Sequence, residues 1–284
     1  MHKLAPREEP VALEELDPLQ RGSLVHEVQF ALYEKLRSDG LLPLREDNLE
    51  RARAKLDSEV DRVAAEYAEK LAPVIRRVWD DAIAQIKSDL RELMRRMAED
   101  VEWTPSHFEL SFGLADTRGR DAASSDEGVL LECGVKLRGS IDLVETSAHG
   151  TYRVTDYKTG KQQAKDGVYI GGGKVLQPVL YALAVEKLLP GKRVESGRLY
   201  YCTSTGGFSH ITVPLDERAR AAAALVARAV GESLRAGFLP AAPEKDACRW
   251  CDYRPVCGPY EETRAEKFKT RERLEHLAQL RGSR

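Results

Sequence analysis

Apolar residues recur at helical spacing through the first hundred residues of the chain. From about Arg21 onward they predict an amphipathic helix, with apolar positions at Leu24, Val28, Ala31, Leu32 and Leu36. Residues 47–100 carry two further apolar stripes among many charges, separated at Pro73, which predicts two long amphipathic helices. Residues 1–20 are rich in Pro and Glu and show no periodicity, which predicts a flexible lead-in.

The pattern changes after residue 100, where short apolar runs alternate with helical stretches. The predicted elements are a strand at 107–114, a hairpin within 139–160, a helix at about 175–189, a strand pair at 198–204 and 208–213, an Ala-rich helix from Asp216 to about Arg235, and a charged helix at 261–284. Gly171, Gly172 and Gly173 precede the helix at 175, but no phosphate-loop pattern surrounds them.

The hairpin at 139–160 carries the candidate chemistry. Asp156 and Lys158 are two residues apart in its second strand and therefore share a face. In a simple hairpin register, Asp142 of the first strand lies opposite the end of the second. Two carboxylates at such a short distance repel each other unless a cation lies between them, and Mg²⁺ prefers carboxylate oxygens as ligands. This layout is typical of metal-assisted phosphodiester hydrolysis; a surface hairpin with an ordinary salt bridge is the alternative interpretation.

Composition limits the class of protein. The chain has 284 residues, of which 42% are hydrophobic and 32% charged, enough for one large domain or for one domain with an elaboration. It contains no apolar run of membrane-spanning length and no secretion signal, so we expect a soluble, cytoplasmic protein. The net charge of −2 argues neither for nor against nucleic acid, whereas the stretch from Thr151 to Lys174 has five basic residues against two acidic ones.

Three of the five cysteines cluster within ten residues, in the order Cys248, Cys251 and Cys257. A secreted disulfide framework usually spreads an even number of cysteines over a short chain. The segment 245–258 therefore indicates a metal or iron–sulfur site. A zinc-binding interaction domain that uses these cysteines with a histidine is a further hypothesis.

Four short motifs occur in one order: G-x-x-x-H at Gly22–His26, G-x-x-D at Gly139–Asp142, D-Y-K-T-G at Asp156–Gly160, and Q-x-x-x-Y at Gln177–Tyr181. This combination resembles the RecB-like branch of the PD-(D/E)XK nuclease superfamily. The resemblance implies an α/β, restriction-endonuclease-like fold, in which helices flank a central mixed sheet. The nuclease domain would span 21–260, with 47–100 as a long helical insertion that either elaborates the fold or forms a wall of the substrate channel.

The resemblance also implies roles for individual residues. His26, Asp142 and Asp156 would bind Mg²⁺ or Mn²⁺, with the main-chain carbonyl of Tyr157 as a further ligand and Glu109 as an outer ligand of the metal or its water. Lys158 would orient the attacking water and stabilise the developing charge. Gln177 and Tyr181 would hold a DNA phosphate or the lysine, and Lys161 and Lys174 would bind DNA. An imidazole among carboxylate ligands suits Mn²⁺ better than Mg²⁺, so the identity of the metal is left open between the two.

The cysteine segment is similar to the iron–sulfur staple found in the B subunits of AddAB-type helicase–nucleases and in CRISPR-associated RecB-like exonucleases. In those families a fourth cysteine precedes the histidine motif, but no cysteine lies upstream of His26 here. We therefore expect a chain cut from a longer helicase–nuclease protein, which would bind a [4Fe–4S] cluster poorly by itself. Cys133 and Cys202 fall in predicted strands, and we expect Cys133 to act as a small apolar residue.

The function implied by the resemblance is a metal-dependent DNA exonuclease domain in recombination, repair or DNA end processing. Its partners would be single-stranded DNA or duplex ends and a helicase domain or subunit, with no membrane. The alternative is a catalytically silent domain of the same fold that binds DNA or a helicase.

Overall fold

The structure is a computed structural model that describes residues 14–114, 121–132, 134–237, 241–269 and 274–283. Its first three helices are α1 (Pro18–Ser38), α2 (Leu49–Leu71) and α3 (Arg76–Glu99). A capping box between Asp17 and Gln20 begins α1 three residues before the expected start. Between α2 and α3 the chain breaks around Pro73, as the sequence predicts, because Pro cannot continue a helix.

Mixed pairing characterises the central sheet. The strands are β1 (Trp103–Phe112), β2 (Val129–Leu130), β3 (Lys136–Leu137), β4 (Gly139–Ser147), β5 (Tyr152–Lys158), β6 (Val194–Tyr201) and β7 (His210–Pro214). Five of them form one sheet in the order β1-β4-β5-β6-β7, and β2 pairs with β3. Neighbours in the large sheet are antiparallel except β5 and β6, which are parallel. The predicted α/β fold with a central mixed sheet is confirmed.

Helices cover both faces of this sheet. On one face α1, α2 and α3 share an apolar core with the sheet residues Phe108, Leu143 and Tyr157. On the other face lie α4 (Gln177–Leu188) and α5 (Glu217–Arg235), which share a second apolar core with sheet residues such as Leu110, Ile141 and Val154. The helices of residues 47–100 therefore form much of one covering layer rather than an appendage, because their apolar stripes are buried against α1 and the sheet.

Close backbone contact holds α4 against the sheet. A Cβ atom added to Gly197 of β6 would lie 1.9 Å from the carbonyl oxygen of Pro178, so only glycine allows this approach. The contact fixes the first turn of α4, which begins at Gln177, over the centre of the sheet.

The C-terminal region differs from the single helix expected at 261–284. After α6 (Arg254–Cys257) the structure describes two helices, α7 (Glu261–Lys267) and α8 (Glu275–Gly282). Helix α7 closes where the N–H groups of Phe268 and Lys269 both donate to the carbonyl of Arg264. Helix α8 lies against the glycine turn at 171–173, where the N–H of Gly172 donates to the carbonyl of Ser283 (2.9 Å). In the part of the chain that is described, no helix is long and apolar enough to cross a membrane.

Candidate active site

Three carboxylates form a row across neighbouring strands. Glu109 of β1, Asp142 of β4 and Asp156 of β5 occupy this row, and its register follows from the pairs beside it: Phe108 with Leu143, Leu110 with Ile141, and Leu143 with Thr155. Asp142 thus lies opposite Asp156, as the simple hairpin register predicts. The carboxylate of Asp142 accepts a hydrogen bond from the N–H of Tyr157 (2.6 Å), at the point where the regular pairing of β4 and β5 ends.

A left-handed residue shapes the first position of the row. Glu109 has φ of +48° inside a strand, a conformation that L-residues other than glycine rarely adopt. Its neighbours Phe108 and Leu110 consequently belong to the cores on opposite faces of the sheet, although residues two apart in a strand ordinarily share a face. The hydroxyl of Ser140 donates to Glu109 (2.7 Å) and holds its side chain. No local sequence signal predicts this reversal.

His26 reaches the row from α1. Its Nδ1 lies 3.3 Å from Asp142 Oδ1, and one potential ligand atom each from His26, Glu109 and Asp142 lies within 4.8 Å of the others. Burial lowers the pKa of His26, but the hydrogen bond and charge of Asp142, with the charges of Glu109 and Asp156, outweigh it and raise the pKa above its usual value. Gly22 precedes His26 by about one turn, and a Cβ there would lie 3.6 Å from Thr159 Oγ1, so the helix begins close to the residue that follows β5.

Asp156 is the member of the row that lies beside a lysine. Lys158 Nζ lies 2.7 Å from Asp156 Oδ2, yet that buried oxygen has no hydrogen-bond partner of acceptable geometry in the structure. The two groups form an ion pair, and the ammonium of Lys158 only partly offsets the charge of the Asp156 carboxylate. Burial and the charge of Asp142 raise the pKa of Asp156 to about 6, although Lys158 and His26 act in the opposite direction.

The donor set fits a hard divalent cation. Carboxylate oxygens suit Mg²⁺ and Mn²⁺, and the imidazole favours Mn²⁺. The pKa of Asp156 stays raised although Lys158 lies beside it, which indicates that further positive charge would be favourable at this place. The structure brings His26, Glu109 and Asp142 together, whereas Asp156 lies beside them and pairs with Lys158, and the role of Glu109 as an outer ligand stays a prediction. The carbonyl of Tyr157 stays a predicted ligand.

Gln177 and Tyr181 lie on two sides of this row. A Cβ atom on Gly139 would lie 3.3 Å from the hydroxyl of Tyr181, so the glycine of the G-x-x-D motif makes room for the tyrosine. Burial and the charges of Asp156, Asp142 and Glu109 raise the pKa of Tyr181 to about 12. Gln177 instead lines a groove of about 420 Å³ together with Lys158 and the two predicted DNA-binding residues.

Those two residues, Lys161 and Lys174, differ in their surroundings. Lys174 Nζ contacts Glu244 (2.5 Å), so its charge is already paired in the structure. The same Glu244 contacts Arg281 of α8 (3.2 Å), which brings the C-terminal region to the rim of the groove. DNA binding by both lysines stays a prediction.

The cysteine segment lies apart from the carboxylate row. Cys248 and Cys257 are half-buried and Cys251 is exposed, and their sulfur atoms do not form a group of ligand atoms within 4.8 Å of one another. Cys202 is fully buried after β6, where its Sγ lies 3.6 Å from the carbonyl of Lys158, so it packs in the core. Cys133 lies outside the described residues. Three thiolates fit part of a [4Fe–4S] ligand set, and the cluster stays a prediction.

Comparison with known proteins agrees with this geometry. The family profile described as the PD-(D/E)XK nuclease superfamily matches residues 2–258. A CRISPR-associated exonuclease Cas4/endonuclease Cas1 fusion of Myxococcus xanthus (strain DK1622) is 37% identical over 130 residues, which is 44% of this chain and 22% of that protein. A second relative, one of the subunits of an ATP-dependent helicase/deoxyribonuclease of Symbiobacterium thermophilum, is 32% identical over 161 residues, which is 51% of this chain and 13% of that protein.

The matched part of this chain thus corresponds to less than a quarter of either relative. Both relatives are of the kinds that the sequence motifs resemble, so the predicted relationship is confirmed. Together with the mixed sheet and the carboxylate row on β1, β4 and β5, the family match over most of the chain leads to one conclusion: this chain belongs to the PD-(D/E)XK nuclease superfamily.

Proposed function

We propose that the chain is a deoxyribonuclease domain that depends on Mg²⁺ or Mn²⁺ and acts as an exonuclease during recombination, repair or DNA end processing. One observation carries the proposal: in the row of carboxylates with His26 beside it, burial and the charge of Asp142 raise the pKa of Asp156 to about 6 although Lys158 lies next to it. A divalent cation held by His26, Glu109, Asp142 and Asp156 would polarise the phosphodiester and lower the pKa of a water molecule.

The side chains around the row have separate tasks in this proposal. Lys158 orients the attacking water and stabilises the charge that develops on the phosphate, because its ammonium is fixed beside Asp156. Tyr181 stays protonated at neutral pH, since its pKa is raised to about 12, and it can donate a hydrogen bond. Gln177 and Lys161 line the groove through which the sugar–phosphate backbone would pass.

The substrate is single-stranded DNA or a duplex end, and a helicase domain or subunit is the proposed partner. Support comes from the names of the relatives, an exonuclease fusion and part of a helicase/deoxyribonuclease. The cysteines of 245–258 would supply three thiolates to a [4Fe–4S] cluster. Iron and sulfide analysis of anaerobically purified protein, with zinc measured in parallel, tests that assignment against a zinc site.

The nuclease assay uses end-labelled single- and double-stranded DNA with Mg²⁺, Mn²⁺ or a chelator. We expect metal-dependent shortening from an end and loss of activity in Lys158→Ala. Lys192→Ala is the matched control, because this lysine lies near the ring of Tyr152 at the other end of β5 (4.9 Å from the ring centroid). DNA binding without hydrolysis in either metal would favour the catalytically silent alternative.

A further inference from the structure

A buried carboxylate outside all the motifs joins three parts of the molecule. Asp89 belongs to α3 and is 3% exposed. Its Oδ1 accepts hydrogen bonds from the N–H of Ser204 (3.1 Å) and the side chain of Gln85 (3.0 Å), and its Oδ2 accepts one from Arg21 (3.2 Å). A buried charge is costly unless it is paired and hydrogen-bonded, so these three donors make the position specific for a carboxylate.

Ser204 belongs to a loop that holds the turn after Lys158. The N–H of Cys202 donates to the carbonyl of Lys158 (3.0 Å), and the hydroxyl of Thr203 donates to the carbonyl of Thr159 (3.0 Å). A Cβ atom added to Gly206 would lie 2.8 Å from the carbonyl oxygen of Gly160. The loop 202–206 therefore contacts three successive carbonyls, beginning with that of the lysine beside Asp156.

Arg21 connects the same carboxylate to the helix of His26. It precedes Gly22, whose Cβ position faces Thr159 Oγ1 at 3.6 Å. Its side chain is one-quarter exposed, and the ion pair with Asp89 fixes the start of α1 relative to α3. A single carboxylate thus holds both the start of the helix that carries His26 and the loop that clamps the turn after Lys158.

We infer that Asp89 is a positioning residue for the nuclease centre: it fixes the distance between His26 on α1 and Lys158 on β5 by holding Arg21 and Ser204 at one point of α3. The inference rests on the proposed function for its catalytic consequence. Its structural part, the coupling of α3 to the Lys158–Gly160 turn, stands independently. Small displacements of catalytic groups are expensive, since a shift of about 1 Å can lower the rate roughly 100-fold.

The test compares Asp89→Ala with Asp57→Ala. Asp57 also joins two helices of the same layer, since it pairs with Arg91 across α2 and α3, but its side chain is one-third exposed and it contacts no part of the loop. For each variant we measure kcat and KM on DNA, and amide hydrogen exchange of the metal-free protein. We expect Asp89→Ala to lower kcat by about 10- to 100-fold with KM within about threefold, and to speed exchange at 158–160 and 202–206. Asp57→Ala should change neither.

Asp89→Asn separates positioning from folding. It keeps an oxygen that can accept from Ser204 and loses the charge that binds Arg21, so we expect an intermediate loss of kcat and a smaller change in exchange. Unchanged kcat in folded Asp89→Ala, or faster exchange spread evenly over α1, α2 and α3, would overturn the inference. If the wild-type protein hydrolyses no DNA, the proposed function fails, and exchange at 158–160 still decides whether Asp89 positions the turn.

Discussion

Two pairs of facing residues on the same two strands, three positions apart, differ in how their charges are compensated. In the first pair, Glu145 of β4 faces Arg153 of β5, and its carboxylate accepts hydrogen bonds from Arg153 (2.8 and 2.7 Å), Thr155 (2.8 Å) and Arg198 (3.0 Å). In the second pair, Asp142 faces Asp156, and the buried Oδ2 of Asp156 has the ammonium of Lys158 beside it (2.7 Å).

The pKa values of the two sites move in opposite directions. Burial alone would raise the pKa of Glu145, but the charges of Arg198 and Arg153 and their hydrogen bonds lower it below its usual value. The pKa of Asp156 rises to about 6, because burial and Asp142 outweigh Lys158. Burial of a carboxylate is therefore common to both sites. The difference is how far the protein itself balances the charge. Two arginines pair with the carboxylate of Glu145, whereas Asp156 has one lysine and a second carboxylate beside it, and the site that is less fully balanced is the one suited to a cation.

Asp142→Asn should have the largest effect on activity. It removes a carboxylate oxygen from the row while preserving shape, and loss of a metal-polarised transition state is worth several kcal/mol, or at least about 1,000-fold in rate. Asp100→Asn is the control, because it removes a carboxylate from the rim of the compensated site, where Asp100 contacts Arg153. The measurement is hydrolysis of end-labelled DNA in Mg²⁺ and Mn²⁺. Activity of Asp142→Asn near that of the wild type would contradict the assigned site.

Glu145→Ala should have the largest effect on stability. It leaves the buried guanidinium groups of Arg153 and Arg198 without their common carboxylate, and breaking such a buried pair costs about 3–5 kcal/mol. Urea unfolding of the metal-free protein measures this loss. A loss below about 1 kcal/mol would mean that the ion pairs of Glu145 contribute little to stability. The two sites would then not differ in how well their charges are balanced.

Asp156→Asn should stabilise the metal-free protein in a pH-dependent way. The folded pKa of Asp156 is about 6, above the value of 3.8 for an unperturbed carboxyl, so ionisation of this group destabilises the folded state as pH rises through 6. The variant should therefore match the wild type near pH 4 and gain on the order of 1–3 kcal/mol at pH 7. Melting curves measured in the presence of a chelator test this prediction. Added Mn²⁺ should raise the melting temperature of the wild type but not that of Asp156→Asn. A gain that persists at pH 4 would point to a cause other than charge.

The sequence was sufficient to predict the parts of the site that depend on local spacing. Strand alternation predicted the shared face of Asp156 and Lys158, and helical periodicity placed His26 on a helix, as the structure has them. The left-handed conformation of Glu109 was not predictable, because it reverses that same alternation. The contacts of Asp89 were equally hidden, since it lies in a helix crowded with charged residues and its partner Ser204 is distant in the chain.

Long-range contacts also explain the remaining differences in the fold. The break between α7 and α8 depends on hydrogen bonds to the carbonyl of Arg264 and on the contact of α8 with Gly172. The helical periodicity of the sequence gives no information on either contact. The compensation of Glu145 depends on Arg198, which lies 53 residues further along the chain. Charge pattern alone could therefore not distinguish the carboxylate of Glu145 from those of the proposed metal site.

Tyr181→Phe should have the smallest effect on activity. It tests whether the hydroxyl of Tyr181, whose pKa the three carboxylates raise, takes part in the reaction. Tyr181 is protonated at neutral pH because burial and the three carboxylates raise its pKa to about 12, so its hydroxyl can donate a hydrogen bond to bound DNA and carries no charge. Loss of one such bond is worth about 0.5–1.5 kcal/mol, which corresponds to a roughly two- to tenfold fall in kcat/KM. The control is Gly139→Ala, because its added Cβ would lie 3.3 Å from the tyrosine hydroxyl and displace the same group without removing it. Similar losses in both variants, with unchanged melting temperatures, would support a positioning role for the hydroxyl. A large loss of stability in Tyr181→Phe with unchanged activity would instead assign the ring and its hydroxyl to the core beside Phe112.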